Sequence, residues 1–250
     1  MENSGQAEFI RKIKKALGRQ AAAPYLELNL FGNKLSDETR AVLARINARS
    51  AAEKQKLLDT LIEAARPINL RVAACQDSHS AATALADLVR EKAPEWGSKK
   101  SVVAWKHPLI ESLNLPEALA EQGVPVFFAD LQKTDAENLR RRIIDSYIGI
   151  TSADFCLADT ATLVMRTRPG QARSVSLVPS IHAAVIELGQ VIVDLKELYA
   201  LLKWDPQQSE EGLTNCMSFI SGPSKTADIE ATMVHGAHGP REVHVFVITS

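Results

Sequence analysis

With 250 residues, 46% of them hydrophobic, the chain has enough apolar content to bury a sizeable core, either as one large α/β domain or as a domain with a helical extension. Its 29 basic and 30 acidic side chains nearly cancel, which excludes a global field of one sign that would recruit nucleic acid or an anionic membrane. Cys75, Cys156 and Cys216 are odd in number, widely spaced and without a C-x-x-C pair, so neither a disulfide framework nor a thiolate-held cluster on this chain alone is expected.

That cysteine usage fits a reducing cytoplasm. The opening stretch MENSGQAEFIRKIKKALGRQ lacks the continuous apolar segment of a signal peptide. No later run reaches the roughly 20 apolar residues of a membrane span, so neither secretion nor a spanning helix is expected.

The spacing predicts a first helix over 7–17, with Phe9, Ile13 and Leu17 on one stripe and Arg11, Lys12, Lys14 and Lys15 on the remaining surface. It reads as a docking helix, for its own domain or for a partner subunit. Pro24 and Gly32 interrupt the pattern. A long helical region follows over 37–66, with Val42, Leu43, Ile46, Leu57, Leu58, Leu61 and Ile62 as buried candidates, until Pro67 ends it. From Asn69 short β-branched runs alternate with helical stretches, the signature of βαβ units and a mainly parallel sheet. Strands are expected in NLRVAAC, SVVAW and VPVFFA, with helices over 78–91, 108–122 and 134–145. A strand-rich stretch then runs through YIGITSADFCLADTATLVMR, SVSLVPS and HAAVIEL. A helix over 194–202, the strand MSFIS and the last strand EVHVFVIT complete the chain. The expected organisation is a helical extension over 1–66 and an α/β domain over 67–250.

The densest polar segment is SGPSKTADIEATMVHGAHGPRE, residues 221–242. Pro223 stops the preceding strand, and Thr226 reads as the N-cap of a helix with Asp228 and Glu230 in its first turn and His235 in its last. Ser221, Gly222, Ser224 and Lys225 then gather where a strand end meets a helix N-terminus, an arrangement that can bind an anion. It is not a Walker loop, because Ser224 stands directly before Lys225 where that signature has glycine. A Ser–Lys nucleophile pair would need Lys225 to lose its proton. His235 and His238 are separated by Gly236, unlike the two histidines of a helical H-E-x-x-H motif, and no metal site is expected. Arg241 emerges from the Gly239–Pro240 turn able to bind a carboxylate or phosphate, or a neighbouring acid. Its pairing with Lys225 in one anion site at the sheet's carboxyl edge is the working expectation. A second cluster holds Asp154, Asp159 and Thr160, readable as turn-forming side chains or as a pocket wall.

Taken in order, GITSADFCLADTATLV, SLVPSIHAAVI and ISGPSKTADIEATMVHGAHGPREVHVFVI, with WKHPLI before them, resemble the LUD-domain family, in its lactate-utilisation protein C (LutC/YkgG) branch. The resemblance covers most of the chain from Asn69 onward. It implies a NagB/RpiA/CoA-transferase-like α/β fold and a place in a three-protein system that oxidises L-lactate to pyruvate. It further implies iron–sulfur clusters on partner subunits and none on this chain. The matching positions are Asp154, Asp159, Thr160, Pro179, His182, Ser221, Gly222, Ser224, Lys225, Asp228, Glu230, His235, Gly236, His238, Gly239, Arg241 and Glu242, while Ala161 stands where relatives often have glycine. The expected function is a non-redox subunit of that system with a small anion-binding pocket. The alternatives are a free-standing enzyme on a phosphorylated sugar, CoA thioester or other anionic metabolite, and a ligand-sensing module.

Overall fold

The structure is a computed structural model that describes residues 4–16, 34–95, 97–130, 135–210, 216–229, 232–236 and 238–250. Contacts divide the chain into two units, Met1–Asp37 and Glu38–Ser250. In the first, α1 (Ser4–Ala16) begins three residues before the helix expected over 7–17, whose Leu17 lies outside the described residues.

The second unit starts with α2 (Asp37–Asn47) and α3 (Ala51–Ala65), two helices where the pattern suggested one. The break has a local cause. Ser50 caps α3 through a reciprocal box with Glu53, its hydroxyl accepting from the Glu53 N–H while the Glu53 carboxylate accepts from the Ser50 N–H. These helices were expected in an extension over 1–66, yet Leu58, Leu61 and Ala65 of α3 are buried in the same core as the sheet.

Next come β1 (Leu70–Cys75), α4 (Ser78–Glu91), β2 (Val102–Trp105), α5 (Pro108–Ser112), α6 (Leu115–Ala118), β3 (Val126–Ala129), α7 (Ala136–Asp145) and β4 (Ile148–Thr151). The helix expected over 108–122 is split into α5, α6 and a final single turn. Asn114 lies between α5 and α6 at φ 46°, and Pro116 cannot continue a hydrogen-bonded helix across that break.

The chain continues through β5 (Phe155–Leu157), β6 (Thr162–Arg166), α8 (Ser174–Leu177), β7 (Ile181–Glu187), β8 (Val191–Ile192), α9 (Leu195–Trp204) and α10 (Pro206–Glu210). It ends with β9 (Met217–Ile220), β10 (Lys225–Ile229), β11 (Thr232–His235) and β12 (Glu242–Ile248). SVSLVPS, expected as a strand, forms the short helix α8. Its consecutive residues Val175 and Ser176 are both buried while Leu177 and Val178 are exposed, a pattern that a strand's two-residue alternation cannot produce.

Six strands form a parallel sheet in the order β1-β12-β7-β4-β2-β3. The strands β2 and β4 are buried throughout, as a sheet covered on both faces requires. One face packs against α4, α5 and α6 through Leu85, Val89, Ile110 and Leu115. The other packs against α3, α7, α8 and a four-stranded sheet of order β8-β5-β6-β9. The outer face of that smaller sheet, with Phe155, Leu157, Val164 and Ile192, is covered by Leu198 and Leu201 of α9. Each fully buried aliphatic side chain in these layers contributes about 1.5–3 kcal/mol relative to exposure. A buried acid ties α9 to the α2–α3 corner: Glu197 accepts from Arg45, Arg49 and the Val193 N–H.

Candidate ligand site at the carboxyl edge

The order of the parallel sheet contains one reversal. From β2 the chain proceeds to β3 on one side, from β4 it proceeds to β7 on the other, and β2 and β4 are neighbours. Their carboxyl ends therefore diverge into loops that leave a crevice between them, the place where open α/β sheets bind ligands. A cavity of about 490 Å³ lies there, lined by Trp105, His107, Pro108, Ala153, Asp154, Phe155, Arg166, Arg168, Gln171, Glu187, Gly189, Gln190 and Gln208. Its volume is in the range of small-molecule pockets.

Asp154 is the charged centre of its floor. Its carboxylate accepts from the Arg166 backbone N–H at 2.7 Å, from Arg166 Nε at 2.9 Å and from Arg168 Nη2 at 2.6 Å. The strands supply this convergence. Arg166 and Arg168 are two residues apart at the end of β6 and so emerge on one side, while the antiparallel β5–β6 register brings Asp154 beside them. Burial alone would raise the Asp154 pKa. Hydrogen bonds from Arg168 and from the Arg166 N–H, with both guanidinium charges, outweigh it and hold the carboxyl below its ordinary value. Arg166 also donates to Gln208 of α10. The Arg168 turn is pinned to β2 by the Lys106 N–H, which donates to Gly170 O at 3.1 Å, and by Trp105 Nε1, which donates to Ala172 O at 2.9 Å.

His107 follows β2 and caps α5, its Nδ1 accepting from the Leu109 N–H at 3.2 Å. An accepting Nδ1 carries no proton, so the neutral ring holds its proton on Nε2. Burial lowers the His107 pKa and favours that neutral form, partly opposed by the Asp154 charge.

Among the described residues singled out from the sequence, only Asp154 lines this cavity. Asp159, Thr160 and Ser221 meet at the far end of the β5–β6 hairpin instead. Thr160 Oγ1 donates to Asp159 Oδ1 at 3.1 Å, and Thr162 Oγ1 lies 2.9 Å from Thr160 Oγ1 and 2.7 Å from Ser221 Oγ. Ala161 occupies that turn at φ 46°, a left-handed conformation in which glycine is unstrained. Gly222, at φ 85°, lies against Ile68, where a Cβ would come within 2.8 Å of the Ile68 carbonyl oxygen.

The helix expected from Thr226 to His235 is a β-hairpin, β10 with β11, pairing Lys225 with His235 and Thr226 with Val234. Thr226, Ile229, Thr232 and Val234 are β-branched and favour the extended pairing. Its open end is closed by the backbone: the Gly236 N–H donates to Ser224 O at 3.0 Å and the Ser224 N–H to Pro240 O at 2.8 Å. Among the described residues no helix starts beside Ser224 and Lys225, so the anion-binding argument built on a helix N-terminus does not apply. Asp228 sits in β10 and Glu230 lies outside the described residues. Lys225 and His238 are exposed.

Arg241 is likewise not at the carboxyl edge. It directly precedes β12 and so lies at the sheet's amino edge, where Nη1 donates to Glu95 Oε1 at 2.8 Å and the Arg241 N–H donates to Ser180 O. Arg241 therefore takes no part in a site at the opposite, carboxyl edge, where it was expected with Lys225. Gly236 belongs to the same structural clasp, since a Cβ there would meet Arg241 Cγ at 2.2 Å.

His182 is buried in β7, with Nε2 2.8 Å from Thr151 Oγ1 and Nδ1 without a hydrogen-bond partner among the described residues. Burial, reinforced by the charge of His244, brings its pKa down to about 3. Because the unfolded chain takes up this proton near pH 6.5, stability should be lost as pH falls from about 6.5 toward about 3. Thermal melts across that range should show a flatter acid limb for His182→Gln than for the parent. Equal limbs would mean that His182 does not contribute to it.

His107, Arg166 and Arg168 are cavity-lining side chains that sequence reasoning did not single out. Two signals pointed to them: a histidine directly before proline after a strand, in WKHPLI, and arginines two apart at a strand end, in VMRTRPG.

The LUD domain family model matches residues 58–248. The Lactate utilization protein C of Halalkalibacterium halodurans is 34% identical over 143 residues, which are 57% of this chain and 60% of that protein. The Lactate utilization protein C of Bacillus subtilis is 30% identical over 164 residues, 63% of this chain and 66% of that protein. The matches thus span less than two thirds of these relatives' lengths. The crystal structure of a DUF162 family protein from Deinococcus radiodurans has the same fold, with a TM-score of 0.51 at 16% identity, covering 78% of this chain and 98% of that one. With the parallel sheet and its switch-point cavity both inside the matched residues, the chain belongs to the LUD domain family.

Proposed function

We propose that this chain is a non-redox subunit of a lactate-utilisation system, binding a small ligand in its switch-point cavity while partner subunits carry iron–sulfur clusters. The names of its relatives support the system. The observation that carries the non-redox assignment is the placement of the thiols. Cys75 faces the α4 side of the large sheet, Cys156 lies in the core on its other side, and Cys216 precedes β9. Burial raises the Cys75 pKa and pushes that of Cys156 up to about 12, which disfavours the thiolate that an iron cluster needs.

Deleting the gene in its source organism should abolish growth on L-lactate and leave growth on pyruvate intact. Undiminished growth on L-lactate would overturn the assignment to that system. Anaerobically purified protein should contain no stoichiometric iron, and a cluster on the isolated chain would overturn the non-redox part.

For partner docking we assign α1, whose Phe9 and Ile13 are 62% and 40% exposed. Removing residues 1–23 should leave a folded protein that co-purifies poorly with its partners. Equal recovery of truncated and full-length chains would remove α1 from that role.

A further inference from the structure

We infer that the outer edge of β1 is the interface of a homodimer, in which two copies of this chain pair β1 with β1 antiparallel across a two-fold axis at Ala73. β1 is the end strand of the parallel sheet and pairs with β12 alone. Its bonding directions follow from that pairing. The Thr249 N–H donates to Cys75 O at 2.9 Å, so the backbone groups of Cys75, and by alternation those of Ala73 and Arg71, point toward β12. Those of Val72 and Ala74 point away from the sheet, and nothing bonds to them among the described residues.

Natural sheets blunt such an edge with a proline, a lysine, a bulge or a covering segment. LRVAAC contains neither proline nor lysine, its register with β12 is unbroken, and its one charged residue, Arg71, pairs with Glu242 of β12 at 3.2 Å. Ala73 and Ala74 point to opposite faces and both are exposed, so neither layer of helices covers this part of the strand. The neighbouring β12, by contrast, is buried from Val243 to Ile248.

The occupant is a second copy because the strand complements itself. With the axis at Ala73, the outward-bonding Val72 lies opposite Ala74 of the second copy, and each such pair exchanges two N–H···O bonds. On one face the half-buried Val72 covers an exposed alanine methyl. On the other, two Ala73 methyls meet at the axis and are small enough to let the strands close. Arg71, 63% exposed, falls diagonal to Asp77 of the second copy, an exposed acid whose backbone continues extended from β1 at φ −152° and ψ 180°. Symmetry repeats this opposite-charge pair on the other side of the axis. The two six-stranded sheets become continuous, and β12 and β7 separate the interface from β4, leaving the switch-point cavity of each copy away from it.

Sedimentation equilibrium of the full chain at micromolar concentration should give twice the 27.3 kDa chain mass. Ala73→Asp sets two like charges opposite each other at an exposed position and should raise the dimer dissociation constant about tenfold or more. Ala74→Pro removes an outward N–H and no bond to β12, so it should give a monomer with the parent's circular dichroism. Ala73→Cys tests the register: opposed residues of this kind bring their Cβ atoms to about 4.5 Å, within reach of a disulfide, and mild oxidation should yield a covalent dimer far faster than in the parent. A monomeric parent, a dimer unchanged in folded Ala73→Asp or Ala74→Pro, or Ala73→Cys cross-linking no faster than the parent would each overturn the inference.

Discussion

Gly149→Ala should be among the most damaging single-methyl changes in this protein. Gly149 lies in β4 under α8, and a Cβ there would sit 1.8 Å from the Val175 carbonyl oxygen, 2.9 Å from its carbon and 3.1 Å from Pro179 Cγ. The obstacle is backbone, so no rotamer change relieves it. Either α8 lifts from the sheet, exposing buried Val175, or β4 shifts beside the ligand cavity. A loss of about 3 kcal/mol or more is expected, the upper part of the overpacking range. In a chain of this size that corresponds to a fall of roughly 6–12 °C in melting temperature. Gly189→Ala, where nothing lies within 4 Å, is the control and should melt close to the parent. A Gly149→Ala protein melting within a degree or two of its parent would show that α8 is not fixed against β4.

Asp154→Asn should be comparably costly for a different reason. The Arg166 side chain is 3% exposed and Asp154 7%, so removing the carboxylate charge takes its Asp154 ion pair from a buried guanidinium. Breaking such a pair on one side costs about 3–5 kcal/mol. Replacing both partners with apolar residues, as in Asp154→Leu with Arg166→Met, should be less damaging than Asp154→Asn alone, because the more deeply buried charge is removed together with the carboxylate and the Arg168 that also loses this contact is partly exposed. The pH dependence follows from the depressed folded pKa of Asp154. The unfolded chain binds the proton first, so the stabilisation is present above about pH 4 and lost as pH falls through the folded pKa. Asp154→Asn should lack this component. Urea unfolding at neutral pH and again below pH 4 measures it, and a mutant–parent gap that does not narrow on acidification would show that the carboxylate charge is not what stabilises the pair.

The large effects expected at Gly149 and Asp154 both come from contacts between segments, which separates what was legible in the sequence from what was not. The alternation of β-branched runs with helical stretches from Asn69 onward determined the parallel sheet, because strands buried on both faces must be apolar throughout and their crossovers must be amphipathic. The starts of the helices expected over 78–91 and 194–202 were equally legible to within a residue, since a helix start is set by residues a few positions apart, and the structure caps them with Asp77 and Asp194. The motif-rich stretch after Pro223 was not. Its acids and terminal histidine suit a helix, while its β-branched residues suit a hairpin. Pairing of Ser224 with Gly236 and with Pro240 decided between them.

The site was decided later still. Asp154 carries its own signal as an acid after a strand, but its partners stand 12 and 14 residues on, and His107 lies on another segment entirely. What brings them together is the order of the sheet, with β2 beside β4 and the chain leaving them in opposite directions. Local patterning determined which residues form strands and helices in this protein. Which strand ends face one another is a property of the packed layers, and only the tertiary structure could place one arginine in a ligand cavity and another in a salt bridge at the opposite edge.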